Sequence, residues 1–145
     1  KAVRAMIAVN APRPVIGTYT IQKPGLAIAG FLPYVRAQRV QILWESEFDY
    51  LKTLSPRVVK QRFDAFTSLG MSCVVVTKGI RPPAVLRRLC QERDVPLFAT
   101  PRLTSTVIEG LTAFLEESLA QVDGAVQRKA QRCDDRLSLR NERLE

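Results

Sequence analysis

A continuous run of four apolar residues, Cys73-Val74-Val75-Val76, constrains the fold of this 145-residue chain more than any other segment. An apolar run without polar alternation is typical of a strand that is buried on both faces of a sheet. A second apolar strand is predicted at residues 95–99, and one amphipathic helix separates the two strands. Two strands that flank one helix form a right-handed parallel crossover by default, so the sequence predicts an α/β fold.

The rest of the chain continues this alternation of strands and helices. Arg4 interrupts the apolar residues of the basic start, which therefore predicts an internal strand rather than a signal peptide. Ser55 and Pro56 are a favourable N-cap and first residue for a helix that Gly70 ends. The further predicted elements are strands within 15–21 and 40–43, helices at 25–29 and 45–54, a helix opened by Pro82-Pro83, and a long helix from Thr104 or Ser105.

The last part of the chain has a different pattern. From Leu111 to Leu144, apolar or small residues recur mostly in steps of four, four and three, an eleven-residue period close to that of a straight helix. Gly124 weakens this helix by about 1 kcal/mol relative to alanine. Residues 1–120 are predicted to form one domain, and residues 121–145 a charged tail. This tail is either a disordered end or a helical extension that packs on a neighbouring copy.

The net charge of +8 raises the question of an anionic partner. The basic residues are scattered, and no helix-turn-helix, zinc finger or aromatic stacking motif accompanies them, so no nucleic acid partner is expected. Two interpretations remain: a solvated basic face, or a surface for an acidic partner or a phosphate-bearing ligand. No apolar run approaches the roughly 20 residues of a membrane span, and no membrane contact is expected.

The reactive residue types do not combine into a recognisable catalytic site. The chain has three cysteines, Cys73, Cys90 and Cys133, and no histidine, so a zinc site or a nucleophilic triad in its usual form is not expected. Unpaired thiols of this kind suit a structural role in a reducing cytoplasm. The carboxylate pairs lie on helix faces predicted to be solvated: Glu45 with Glu47, Glu116-Glu117 and Asp134-Asp135. No catalytic residue and no metal are predicted.

Five segments of the chain carry motifs in a defined order and spacing: Pro24 to Phe31, Ala37 to Leu43, Glu47 to Leu51, Cys73 to Pro83 and Val95 to Pro101. The first has a Pro-Gly start, an apolar interior and a Gly end, and the fourth has an apolar strand with a Thr-Lys-Gly exit. Together the five segments resemble the amino-terminal domain of HPr kinase/phosphorylase. The resemblance runs from about Pro14 to Ala120, and the tail departs from it.

The resemblance implies a role in a bifunctional serine kinase and phosphorylase that acts on the phosphocarrier HPr in bacterial carbon metabolism. In that family, a separate domain carries the Walker A motif that binds ATP and magnesium, and this sequence contains no such motif. We therefore expect an accessory or regulatory domain, inactive by itself, from a truncated or altered product. The implied partners are the kinase domain, an HPr-type phosphocarrier and further copies of the chain.

The resemblance also implies a fold, because the family's amino-terminal domain looks like the uridine-nucleotide-binding first domain of Mur ligases. The expected architecture is a layered sheet with helices and a carboxy-terminal helix. Ligands of such sheets collect beyond the carboxyl ends of the strands, and a helix amino terminus favours anions. An alternative function is thus a sensor of a phosphorylated metabolite or nucleotide. The candidate ligand-binding residues are Thr77, Lys78, Gly79, Thr100, Arg102, Thr104 and Ser105. The alternative interpretation gives these hydroxyls a capping role for backbone donors.

Overall fold

A computed structural model describes residues 7–9 and 20–142, with side chains beyond residue 122 described only at positions 124, 125, 128 and 131. The described residues form an α/β fold with one five-stranded sheet, as the sequence predicts. The strands are β1 (Ile7–Ala8), β2 (Ile21–Gln22), β3 (Val40–Leu43), β4 (Cys73–Val76) and β5 (Leu97–Ala99). The helices are α1 (Gly25–Ile28), α2 (Glu45–Lys52), α3 (Pro56–Thr67), α4 (Ala84–Glu92) and α5 (Thr104–Glu142).

The strand order in the sheet is β1-β5-β4-β3-β2. Strands β2 to β5 are parallel and adjacent in chain order, and only β1 runs antiparallel, with Ile7 opposite Ala99. The central strands β3 and β4 have the predicted bounds, and all eight of their residues are buried. The outer strands are shorter than predicted. β5 begins at Leu97 rather than Val95, and β2 occupies Ile21–Gln22, whereas predicted strand residues 15–19 lie outside the described part.

The predicted helix starts agree with the local chemistry of the chain. The Ser55 hydroxyl accepts a hydrogen bond from the Val58 amide (3.4 Å), which satisfies one of the free donors at the start of α3. Glu47 caps α2, since its carboxylate accepts the Trp44 amide at 3.0 Å. The helix α1 ends at Ile28, and the turn after it contains Gly30, whose φ of +105° is a conformation that favours glycine. The guanidinium of Arg62 in α3 donates to the carbonyl of Ala29 beside this turn.

The larger part of the core lies on one face of the sheet, beneath helices α1 to α4. Alternate residues of the strands point to this face, namely Leu43 in β3 and Val74 with Val76 in β4. Phe63 and Phe66 of α3 are fully buried against them. Together the two rings bury about 300 to 500 Å² of apolar surface, which makes α3 the main anchor of this layer.

The first turns of α5 cover the opposite face of the sheet. Val40 and Ile42 of β3 and Cys73 and Val75 of β4 pack there against Val107, Leu111 and Leu115. The exposed fraction along α5 is 0% at Val107 and 5% at Leu115, but it is 58% at Val122. The helix therefore continues past the region where it packs on the sheet. The backbone is helical through residue 142, while the predicted division into a domain and a tail at residue 120 stays a prediction.

Candidate functional site at the carboxyl edge of the sheet

All seven predicted ligand-binding residues lie at the edge of the sheet where the parallel strands end. Three follow β4, two follow β5, and Thr104 and Ser105 form the start of α5. The parallel pairing of β4 with β5 explains this grouping, because it places the carboxyl ends of both strands side by side. The structure thus brings the predicted residues together, and their role in binding a ligand stays a prediction.

Backbone hydrogen bonds join the two strand exits to each other. The amide of Lys78 donates to the carbonyl of Arg102 (2.9 Å), and the amide of Gly79 donates to the carbonyl of Thr100 (3.0 Å). The amide of Thr100 donates in turn to Val76 at the end of β4 (3.0 Å). These three donors are engaged within the protein, so an anion at this edge has to be bound by other groups.

The three threonines of the site are buried, with exposed fractions of 0% for Thr77, 2% for Thr100 and 5% for Thr104. The hydroxyls of Thr77 and Thr104 lie 2.8 Å apart and share a hydrogen bond. The hydroxyl of Thr100 accepts the amide of Arg102 at 3.2 Å. Each hydroxyl therefore has a partner within the chain, but only that of Thr100 accepts a backbone amide, so the choice between capping and ligand binding stays a prediction for these residues.

Lys78 directs its charge away from the predicted residues. Its backbone has a φ of +59°, followed by +69° at Gly79, so two successive residues adopt the left-handed conformation. Its ammonium group lies 2.7 Å from the carboxylate of Glu45 at the start of α2. The sequence shows the Thr-Lys-Gly exit but not this ion pair, since Glu45 and Lys78 are far apart in the chain. Arg102 and Ser105 are exposed.

A groove of about 370 Å³ lies next to this ion pair, between α2, α3 and the segment that follows Gly79. Its floor is apolar, with Phe48, Leu51, Val59 and Phe63 contributed by the two helices. Ile80 and Pro83 close one side. Charged residues of α2 and the segment 80–83 form the rim: Glu45, Asp49, Lys52 and Arg81. The sequence analysis missed this groove because its lining comes from three segments that only the fold brings together.

The thiols in the described part of the chain have no arrangement for catalysis. Burial raises the pKa of Cys73 and that of Cys90 from 9.0 to about 12, so both thiols stay protonated at neutral pH. Among residues 7–9 and 20–142, no group of three or more metal-binding side chains comes together. Within the same residues, no helix is long and apolar enough to cross a membrane.

Comparison with known proteins identifies the family. Residues 6–115 match the sequence family described as HPr Serine kinase N terminus. The chain belongs to the HPr kinase amino-terminal family. This match covers β1 to β5 and the turns of α5 that pack on the sheet, and it confirms the resemblance drawn from the five segments.

Two curated relatives of this HPr kinase amino-terminal domain are larger proteins. The HPr kinase/phosphorylase of Geobacter sulfurreducens is 39% identical over 99 residues, which are 68% of this chain and 31% of that protein. The HPr kinase/phosphorylase of Bacillus mycoides is 32% identical over 105 residues, 72% of this chain and 34% of that protein. The chain thus spans about a third of the length of the relatives that it matches.

One solved structure shares the fold. It is the crystal structure of the CBS and DRTGG domains of the regulatory region of Clostridium perfringens pyrophosphatase, in complex with the activator diadenosine tetraphosphate. The TM-score is 0.50 with 12% sequence identity, over 74% of this chain and 42% of that chain. At this identity the likeness concerns the arrangement of strands and helices alone.

Proposed function

We propose that this HPr kinase amino-terminal domain is a non-catalytic accessory domain that serves the assembly or regulation of a cytoplasmic HPr serine kinase/phosphorylase. The observation that carries the proposal is that the polar groups at the carboxyl edge of the sheet already form hydrogen bonds and an ion pair within the chain. The Thr77, Thr100 and Thr104 hydroxyls are hydrogen-bonded within the chain, and the Lys78 ammonium is paired with Glu45. Groups that hold a fold together in this way are poor candidates for a phosphoryl-transfer centre.

The sequence supports the same conclusion. Phosphoryl transfer by the P-loop route needs backbone amides that cradle phosphates, a lysine and a magnesium-binding hydroxyl. The 145 residues contain no G-x-x-x-x-G-K-[ST] motif and no histidine. The partners that we propose are the kinase domain of the same enzyme, an HPr-type phosphocarrier and further copies of the chain.

The direct test is an assay of ATP hydrolysis and HPr phosphorylation with this chain, using the full-length Geobacter sulfurreducens enzyme as the positive control. We expect no turnover from the chain under conditions in which the control is active. A regulatory role further predicts that deleting the matching third of the Geobacter enzyme changes its kinase rate or its subunit assembly. Turnover by the chain itself would overturn the proposal, and a deletion that alters neither property would remove the regulatory part of it.

A second candidate function is a sensor that binds a phosphorylated metabolite or nucleotide near Lys78 and Arg102. The observation that favours it is the exposed Arg102, whose backbone is held beyond the strand ends by the hydrogen bond from the Lys78 amide. Titration calorimetry against inorganic phosphate, fructose bisphosphate, uridine nucleotides and diadenosine tetraphosphate tests it. Arg102→Ala should reduce the heat, whereas Arg88→Ala, an exposed arginine on α4, should not. Absence of heat with all four probes would exclude the sensor function for these ligands.

A further inference from the structure

We propose that the groove between α2, α3 and the segment 80–83 binds a small organic anion with an apolar body and a single carboxylate, sulfonate or phosphate group. None of the seven predicted ligand-binding residues at the carboxyl edge of the sheet lines this groove. The proposal is independent of the accessory role, because that role predicts neither that the domain binds a small molecule nor that it binds none.

The first argument is the shape and lining of the groove. Its volume of about 370 Å³ lies within the range of roughly 300 to 1,000 Å³ that is typical of small-molecule sites. Val59, Ile80 and Pro83 line the groove and are half-buried, so they offer apolar contact surface for a ring or a short aliphatic body, and the buried Phe48 and Phe63 complete the apolar lining. A concave apolar floor with few polar groups favours a small molecule over a flat protein surface.

The second argument is the balance of charge on the rim. Both carboxylates are engaged: Glu45 with Lys78 at 2.7 Å, and Asp49 with Lys52 at 3.4 Å. Arg81 is exposed, and no ion pair joins it to another residue in the described part of the chain. The rim therefore carries one unmatched positive charge, which selects for a ligand with one anionic group.

The third argument is that the wall carrying Arg81 is rigid before any ligand arrives. Lys78 and Gly79 fix a turn in which the amide of Ile80 donates to the carbonyl of Thr77 at 3.3 Å. Pro82 and Pro83 then restrict the backbone that follows Arg81. A preformed wall lowers the ordering cost of binding. It also places the guanidinium group at the edge of the apolar floor.

Fluorescence titration with anilinonaphthalene sulfonate, a naphthalene body with one sulfonate, tests the site in the full chain. We expect saturable one-to-one binding. Val59→Trp fills the groove and should abolish this binding. Val58→Trp is the matched control, because Val58 is a half-buried neighbour on the same helix that does not line the groove. Circular dichroism of each variant checks that the fold is retained.

The charge on the rim is tested separately, in a variant that leaves the core intact. Arg81→Gln should raise the Kd about threefold, as expected for one exposed ion pair, and Arg88→Gln should leave it unchanged. Uncharged phenylnaphthylamine should bind more weakly than the sulfonate and should be insensitive to Arg81→Gln. Naphthoate and naphthyl phosphate then decide between carboxylate and phosphate ligands. Equal binding to Val59→Trp and the unmodified chain, or no saturable binding at all, would overturn the proposal.

Discussion

The hydroxyls of Thr77 and Thr104 lie 2.8 Å apart in a buried contact that joins the end of β4 to the first turn of α5. These residues are 27 positions apart in sequence, and they connect the central strand to the helix that covers one face of the sheet. The contact therefore connects the candidate functional site at the carboxyl edge of the sheet to the packing of α5.

Replacing both of these hydroxyls should destabilise the protein less than the sum of the two single replacements. Thr77→Val leaves the Thr104 hydroxyl buried without its partner, which costs about 1–3 kcal/mol of the free energy of unfolding. Thr77→Val with Thr104→Val removes both polar groups, so its cost should be smaller than the sum of the two single changes. Urea denaturation of the four proteins in this double-mutant cycle measures the coupling. Strict additivity would show that the hydroxyls do not interact in solution.

Gly30→Ala should destabilise the protein more than Gly70→Ala. Both glycines have positive φ values, +105° and +70°, so an alanine at either position carries backbone strain of about 1–2 kcal/mol. A Cβ at Gly30 also meets the guanidinium of Arg62, whereas a Cβ at Gly70 meets open space. Thermal unfolding compares the two variants. If the Arg62 contact is the cause, the difference should disappear in an Arg62→Ala background.

Lys78→Gly should be more stable than Lys78→Ala by about 1 kcal/mol. Both changes remove the exposed ion pair with Glu45, which by itself contributes little. Only glycine relieves the strain of the left-handed backbone at position 78, where φ is +59°. Chemical denaturation of the two variants gives the difference directly. Equal stabilities would mean that the turn relaxes when the lysine is lost.

The buried thiols should make the protein less stable at alkaline pH. Burial raises the pKa of Cys73 and of Cys90 to about 12 in the folded state, whereas an unburied thiol ionises near 9.0. The unfolded chain therefore binds fewer protons than the folded one between these values. Stability from this source is complete below pH 9 and is lost as the pH rises towards 12. Denaturation of Cys90→Ala between pH 8 and about 11 should show a shallower decline than the unmodified chain.

The same burial predicts slow thiol chemistry at neutral pH. In a Cys133→Ser background, which leaves only the two buried thiols, a disulfide reagent should react at the rate at which the protein opens. Urea should then accelerate the labelling of both residues. Rapid labelling of either thiol in the folded protein would contradict the burial that defines both layers of the core.

The sequence predicted the central strands and the helix starts because their signals are local. Four consecutive apolar residues indicate β4, and Ser55 with Pro56 indicates the start of α3. The apolar residues at the start of the chain predicted a strand there, and β1 lies among them at Ile7–Ala8, but only its pairing with β5 defines its antiparallel direction. The candidate residues were grouped correctly at one edge, since strand direction in a parallel sheet follows from the crossovers. The groove was missed because Phe48, Phe63 and Arg81 share no periodicity along the chain.

The helix α5 has a mechanical consequence. Its first turns are fixed by Val107, Leu111 and Leu115 against the sheet, and its backbone continues without a break to residue 142. The 27 residues that follow Leu115, up to residue 142, span about 40 Å at the helical rise per residue. The helix α5 is therefore fixed at its amino-terminal end, and a rotation there moves its carboxy-terminal end. A tilt of its anchored turns by a few degrees would be converted into a displacement of several ångströms at the far end.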